Sequence, residues 1–175
     1  RRLVKQELGV SPIELALTRR LVLAKQLLTD TALPVTEVAF ASGFSSLRRF
    51  NDAFLHRYGM PPTRLRKAAA APVAAAATLT LPLGYRPPFD WNALLAFLGA
   101  RAVPGVEVVA NSRYLRTVQI GAHAGWISVQ HAPERRSILV ELPHELTPVL
   151  PALLGRIRQL FDLQARPDLI VAHLE

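Results

Sequence analysis

The stretch PVTEVAFASGFSSLRRFNDAFLHRYG, Pro34 to Gly59, decides how the first part of this chain folds. Pro34 opens a short helix over residues 35–41, because a missing N–H costs nothing in the first helical turn. Val38 and Ala39 are available for its inner face. Gly43 supplies the backbone freedom for a tight turn, Phe44 enters the core, and Ser45 is placed to cap the helix that follows. In that second helix Leu47, Phe50, Phe54 and Tyr58 fall at i, i+3, i+7 and i+11, a single apolar stripe. At roughly 100° per residue, Arg48 and Asp52 then point away from Phe50, with Arg49 and Asn51 on the flanks. Two helices joined by a glycine turn, the second exposing hydrogen-bonding side chains, form the pattern of a helix-turn-helix reader of the major groove.

An ordinary amphipathic helix with a charged solvent face has much the same pattern. Three features favour the reader: the Gly43-Phe44 turn, the charge, and a repeat. Residues 1–67 hold 12 Lys/Arg against 5 Asp/Glu, a net +7, whereas residues 68–175 hold 9 against 8, a net +1, within the chain total of +8. A polyanion is therefore expected on the first third. Gly9, Pro12 and Leu15 recur as Gly59, Pro62 and Leu65, each 50 residues on, and Val4 and Leu8 recur at that offset as Phe54 and Tyr58. By this register Arg1 and Arg2 correspond to Asn51 and Asp52, so the chain is expected to open inside a first recognition helix. The segment 13–28, with Leu17, Leu21, Ala24 and Leu28 along one face, becomes a connector that sets two reading helices about one DNA turn apart, roughly 34 Å.

Composition narrows the remaining classes. Half of the 175 residues are apolar and no cysteine is present, so a packed core is expected, and disulfides, Cys-ligated zinc and thiol chemistry are excluded within these residues. The five histidines, His56, His123, His131, His144 and His173, show no i, i+4 pairing, and no metal or other cofactor is expected here. With no apolar run of membrane-spanning length and no signal-peptide core, no membrane partner is expected and the location is read as bacterial cytoplasm, associated with the nucleoid.

Residues 68–78, nearly all Ala with Pro72 inside, read as a linker between domains 1–67 and 79–165. Strand-like stretches at 78–83, 106–109, 114–120, 126–130 and 137–142 alternate with helices at 90–102 and about 146–161. Asp90 caps the first helix, whose Trp91, Leu94, Leu95 and Leu98 form its buried stripe. The fold class is thus two domains: an all-α helix-turn-helix domain with its first unit truncated, then an α+β domain with an antiparallel sheet and helices on one face. Residues 166–175 begin a further helix. Trp91 and Trp126 read as core residues, and Glu141, Glu145 and Asp162 show no acid/base pairing. Arg135-Arg136 lies between two strand-like runs and reads as a solvated turn, with a phosphate contact as the sharper alternative.

Residues 1–67 resemble the AraC-type regulators through Ala39, Gly43-Phe44, Phe50, Phe54, Gly59, Pro62 and Leu65-Arg66; Leu65 stands where an aromatic is common. That resemblance implies DNA contacts at Ser46, Arg48, Arg49, Asn51 and Asp52, with Arg1 and Arg2 in the truncated unit. Residues 79–175 resemble the N-terminal domain of the AlkA-type 3-methyladenine DNA glycosylases through Tyr85-Arg86-Pro87-Pro88-Phe89-Asp90-Trp91, Phe97-Leu98, Arg101-Ala102, Val106-Glu107, Tyr114-Leu115-Arg116-Thr117 and Leu160-Phe161-Asp162-Leu163. A fold like half of the TATA-binding protein is implied, and no catalytic residue of that family falls on this chain. Val103-Pro104-Gly105-Val106 imitates the glycosylase hairpin turn, but Glu107 replaces the needed glycine, so it reads as a helix-to-strand turn. Both resemblances together imply a fused alkylation-response protein of the Ada-AlkA kind. Such a protein regulates transcription on double-stranded DNA, with RNA polymerase as a candidate partner. Its zinc would sit on a preceding methyl-acceptor domain, and its glycosylase chemistry on helices that follow. The alternative is a non-enzymatic regulator whose α/β module senses a small-molecule effector in a cavity between sheet and helices; a structural spacer is the third reading.

Overall fold

Ser11 starts the first helix that the computed structural model describes. Its Oγ accepts from the Glu14 N–H (3.2 Å) while the Glu14 carboxylate accepts from the Ser11 N–H (2.7 Å), a reciprocal cap with Pro12 in the first turn. The structure describes residues 9–68 and 77–174. Arg1, Arg2, the Val4 and Leu8 positions of the repeat, and residues 69–76 of the Ala/Pro linker lie outside them. The chain divides into two units, Arg1–Ala75 and Ala76–Glu175.

In the first unit, α1 (Pro12–Asp30) buries Leu21, Leu23, Ala24, Leu27 and Leu28. Leu17, expected on that stripe, is 37% exposed; burial begins only at Leu21, whose carbonyl accepts from the Tyr58 hydroxyl (3.2 Å). The next helix, α2 (Val35–Ala41), buries Val38, Ala39 and Ala41. A turn follows in which Gly43 takes φ +90°, a conformation that L side chains resist. The Gly43 N–H donates to the Phe40 carbonyl (2.9 Å) and the Phe44 N–H to the Ala39 carbonyl (3.0 Å). The third helix, α3 (Leu47–Tyr58), is preceded by Ser46 as N-cap rather than Ser45, and Ser46 makes no side-chain capping bond. Its backbone remains extended at φ −151°, ψ 128°, after Phe44 has entered the core. Gly59, at φ +68°, closes α3 and Gly9 has nearly the same value, +69°. Pro62 then opens α4 (Pro62–Ala68), as Pro12 opens α1. Phe44, Phe50, Phe54 and Tyr58 form a ladder of rings with successive centroids 5.2, 5.6 and 4.6 Å apart, and Phe50 and Phe54 are fully buried.

The second unit holds five strands, β1 (Thr78–Gly84), β2 (Glu107–Ala110), β3 (Arg113–Ile120), β4 (His123–Ala132) and β5 (Ser137–Pro143), in the order β1-β5-β4-β3-β2. All neighbours are antiparallel. The register aligns Leu79 with Leu142, Leu81 with Val140 and Leu83 with Ile138, while Val129 pairs with both Val140 and Tyr114. Alternation therefore places these side chains on one face, and all of them are buried. Helix α5 (Trp91–Gly99), capped by Asp90 (2.9 Å to the Ala93 N–H), contributes Trp91, Leu95 and Leu98. Helix α6 (Leu150–Leu160) contributes Leu150, Leu153, Leu154 and Ile157.

Phe161, just past α6, links strands to helices: it meets Tyr114 of β3 edge-on (5.6 Å) and stacks on Trp91 (5.7 Å). The helix expected over about 146–161 is a 3-10 segment, His144–Val149, followed by α6. Pro148 and Pro151 bring no N–H donors, so the regular α-helix begins with Pro151 in its first turn. A last helix, α7 (Pro167–Leu174), follows. The sheet is edged by β1, which contains Pro82, and by the four-residue β2.

Trp126 corrects an expectation. Strand β4 begins at His123, three residues before the expected start, and Ile127 and Val129 point inward, so Trp126 lies on the opposite face, 40% exposed. Trp91 is a core residue, 5% exposed.

Candidate nucleic-acid interface

The ladder of rings fixes which side of α3 is free. With Phe50 and Phe54 turned into the unit, Arg48, Arg49, Asn51 and Asp52 are all exposed, and Ser46 is half-buried at the helix start. The four exposed side chains carry donors and acceptors of the kind that meet base edges or phosphates. Arg48 Nε lies 4.0 Å from Asp52 Oδ2 one helical turn on, with side chains 90% and 74% exposed. This contact is at the limit of an ion pair and open to water, so it leaves the guanidinium free to exchange partners. Arg1 and Arg2, the other expected contacts, are outside the described residues.

Several contacts hold α3 in place. The Tyr58 hydroxyl at its end reaches the α1 backbone, and the Lys25 ammonium sits 5.5 Å from the centre of the Tyr58 ring. Burial raises the Tyr58 pKa above its ordinary 10.0 although the Arg57 charge pulls the other way. The Arg20 side chain would lie 3.5 Å from a Cβ on Gly43, so a residue of α1 flanks the turn between α2 and α3. Ser42 Oγ donates back to the Val38 carbonyl (2.6 Å), satisfying a hydroxyl that is fully buried.

Arg66 of α4 carries a role that the sequence did not disclose. Its guanidinium donates to the backbone carbonyls of Thr31 and Leu33, in the turn between α1 and α2. Thr31 Oγ1 in turn donates to the Leu27 carbonyl (2.6 Å) and accepts from the Leu33 N–H (3.3 Å). Partial burial lowers the Arg66 pKa below the ordinary arginine value, the cost of removing a guanidinium from water. The sole sequence signal was the position of Arg66 in the Gly59-x-x-Pro62-x-x-Leu65-Arg66 run; nothing there says which carbonyls it meets.

In the second unit, a groove of ≈ 360 Å³ runs between α6 and the β3–β4 end of the sheet, lined by Val118, Ile120, Ile127, Leu153 and Ile157 with Arg116 and Arg156. Arg116 Nη1 pairs with Glu107 Oε1 at 2.9 Å and lies 3.5 Å from the Tyr114 hydroxyl. Val103 to Val106 form the helix-to-strand turn, with the Val106 and Glu107 N–H groups both donating to the Val103 carbonyl. Among the described residues, no group of three or more His, Cys, Asp or Glu could hold a metal ion, and no helix is long and apolar enough to cross a membrane.

Comparison with known proteins agrees with this division. Residues 1–68 match the helix-turn-helix domain family and residues 80–175 match the AlkA N-terminal domain family. A probable bifunctional transcriptional activator/DNA repair enzyme AlkA of Mycobacterium tuberculosis is 38% identical over 177 aligned positions, covering 99% of this chain and 35% of the relative. DNA-3-methyladenine glycosylase 2 of Escherichia coli is 38% identical over 88 positions, covering 50% of this chain and 31% of its own length. A probable transcriptional regulator LumQ of Photobacterium leiognathi is 45% identical over 62 positions, covering 35% of this chain and 25% of its own length. The chain thus spans about a third of the M. tuberculosis relative. A helix-turn-helix region leads into a five-stranded antiparallel sheet whose family match takes in more than half of the residues, and the chain belongs to the AlkA N-terminal domain family.

Proposed function

We propose that this chain binds duplex DNA through α3 and regulates transcription in the response to DNA alkylation, within a protein that also excises alkylated bases such as 3-methyladenine. One observation carries the reading. The exposed Arg48, Arg49, Asn51 and Asp52 lie opposite a buried ring ladder, in a chain that aligns over 99% of its length with a relative named as both activator and repair enzyme. Arg48 and Arg49 supply contacts to guanine edges or phosphates, Asn51 suits adenine, and Ser46 and Asp52 complete the set. Arg1 and Arg2 extend it to a second reading helix. Activation brings RNA polymerase as a partner, and the protein works on the nucleoid in the cytoplasm. The domain limits 1–67, 68–78, 79–165 and 166–175 belong to the same proposal.

Titration of a duplex with the protein at increasing salt tests the first half: affinity falls steeply, with a slope set by about four to six phosphate contacts. Arg48→Ala and Arg49→Ala each weaken binding; unchanged affinity in both removes α3 from the interface. Release of 3-methyladenine from methylated DNA by the longer protein that would carry this chain, with this chain alone as the control, tests the second half, and its absence in both leaves a regulator without repair chemistry. The groove of ≈ 360 Å³ between α6 and the sheet favours a second reading, an effector-sensing regulator. Under it, duplex affinity changes when a small molecule with an apolar body occupies the groove.

A further inference from the structure

Arg86, Arg135 and Arg136 stand together at one end of the sheet. Strand β1 ends with Gly84 opposite Ser137, and the Tyr85 N–H extends the pairing by one step to the Arg136 carbonyl (3.0 Å). Arg86 thus follows directly on the residue bonded to Arg136, and Arg135 precedes it. All three are exposed, and none forms an ion pair among the described residues. Glu134 is the one acid within this turn, so these four residues carry a net +2 in a stretch, residues 68–175, that is otherwise near neutrality.

The backbone adds an independent observation. Arg136 lies at φ +47°, ψ +47°, after the 3-10 turn Pro133–Arg135. That left-handed region is unfavourable for an ordinary side chain and suits Gly, Asn or Asp. Asn111, Ser112 and Asp162 are the other non-glycine residues at positive φ among the described residues; Asn and Asp tolerate it, and Ser112 is a small residue whose carbonyl accepts from the Trp91 indole N–H (3.2 Å). Arginine at 136 is not what the turn's geometry selects. The conformation is nevertheless held, because the Arg136 N–H donates to Pro133 (3.0 Å) and its carbonyl accepts from Tyr85. Strain that persists in a fixed turn points to a use for the side chain. Beside Arg86 an open cleft of ≈ 420 Å³, lined also by Gly84, Tyr85, Leu163 and Gln164, leaves room for a bulky anion.

We propose that this end of the sheet is a second DNA-contacting surface, on which Arg86, Arg135 and Arg136 bind the sugar-phosphate backbone of a duplex. Three unpaired guanidinium groups suit phosphates, which they engage as forked donors. Such contacts position DNA without reading its sequence. The proposal rests on the reading of the chain as a DNA-binding protein, but it concerns residues separate from α3.

Arg136→Gly separates the two roles that the side chain can have. Glycine relaxes the backbone while removing the charge, so the melting temperature holds or rises while the slope of log K against log salt falls by about 0.9. In the protein carrying Arg86→Ala, Arg135→Ala and Arg136→Gly, the slope falls by about two to three and low-salt affinity drops at least tenfold for every duplex sequence alike. An unchanged slope in this triple variant overturns the proposal, as does a fall in melting temperature on Arg136→Gly, which would assign the arginine to packing. Arg48→Ala with Arg49→Ala serves as the parallel measurement. If that pair weakens binding and the triple variant does not, the α3 reading stands and this one fails; the reverse result retains this surface and removes α3.

Discussion

The guanidinium of Arg66 donates to the carbonyl of Leu33, half the first unit away in sequence, and to that of Thr31 beside it. One side chain of α4 therefore holds the turn from which α2 departs. Hydrogen bonds to a charged group contribute about 1.5–3 kcal/mol each, less where water has access. Arg66→Ala is expected to destabilise the first unit by about 2–3 kcal/mol, read from the helical signal in denaturant unfolding. Arg66→Lys recovers only part of that, since an ammonium is not a planar fork. An unchanged midpoint in both variants would remove Arg66 from the frame of the reader.

Asp52 faces the same solvent as Arg48, 4.0 Å from it. An ion pair this exposed contributes little to stability, but a carboxylate beside a phosphate backbone repels it. Asp52→Asn is expected to leave the melting temperature unchanged and to tighten non-specific duplex binding several-fold at low salt, with the gain fading as salt rises. Weaker binding confined to one duplex sequence, with non-specific binding tightened, assigns the Asp52 carboxylate a base contact such as acceptance from a cytosine amino group; weaker binding on all sequences alike would contradict the repulsion argument.

Gly125 of β4 has no spare room. A Cβ there would lie 3.0 and 3.1 Å from Leu146 side-chain carbons and 3.2 Å from Pro143, and Leu146 is fully buried. Gly125→Ala is expected to destabilise the second unit by about 1–3 kcal/mol through overpacking, seen in thermal unfolding followed by tryptophan fluorescence. Gly125→Ala combined with Leu146→Val tests the cause, because a smaller neighbour returns space to the new methyl group. No recovery would locate the cost elsewhere.

Burial raises the Tyr114 hydroxyl above 10.0, while the hydrogen bond and charge of Arg116 oppose that shift. A folded pKa raised above the unfolded one means that the second unit's stability is fully present below pH 10.0 and is lost as pH climbs through the folded value. Melting temperature measured across that alkaline range is expected to fall, and Tyr114→Phe flattens the fall while removing one late-titrating phenolate from the absorbance titration. An identical alkaline profile in wild type and Tyr114→Phe would contradict the burial argument.

What the residues disclosed in advance was whatever depended on short periods. The 35–41 helix, the Phe50/Phe54 stripe and the Asp90 cap were legible because neighbours along the chain decide them. Trp126 is misread as core when its size is weighed alone; alternation with Ile127 and Val129 puts it on the other face of β4, together with Ser128 and Gln130. The helix near residue 146 was drawn through Pro148 and Pro151, where missing donors turn the chain into a 3-10 segment first. Ser45 and Ser46 offered the same capping chemistry, and only the backbone after Phe44 chose between them. That Arg48, Arg49, Asn51 and Asp52 share the exposed side of α3 was legible, since one helix carries them all. The Arg66 clamp was not, because its carbonyl partners lie more than thirty residues away in sequence.

The two borders of the sheet bear on how such a unit survives being moved between proteins. A border strand containing proline and another of four residues give a newcomer's backbone few places to attach. A domain closed in this way can be joined to different neighbours without sticking to them or to copies of itself. Residues 80–175 match the AlkA N-terminal domain family and here follow a helix-turn-helix region; borders of this kind leave a neighbouring domain little open ladder to pair with.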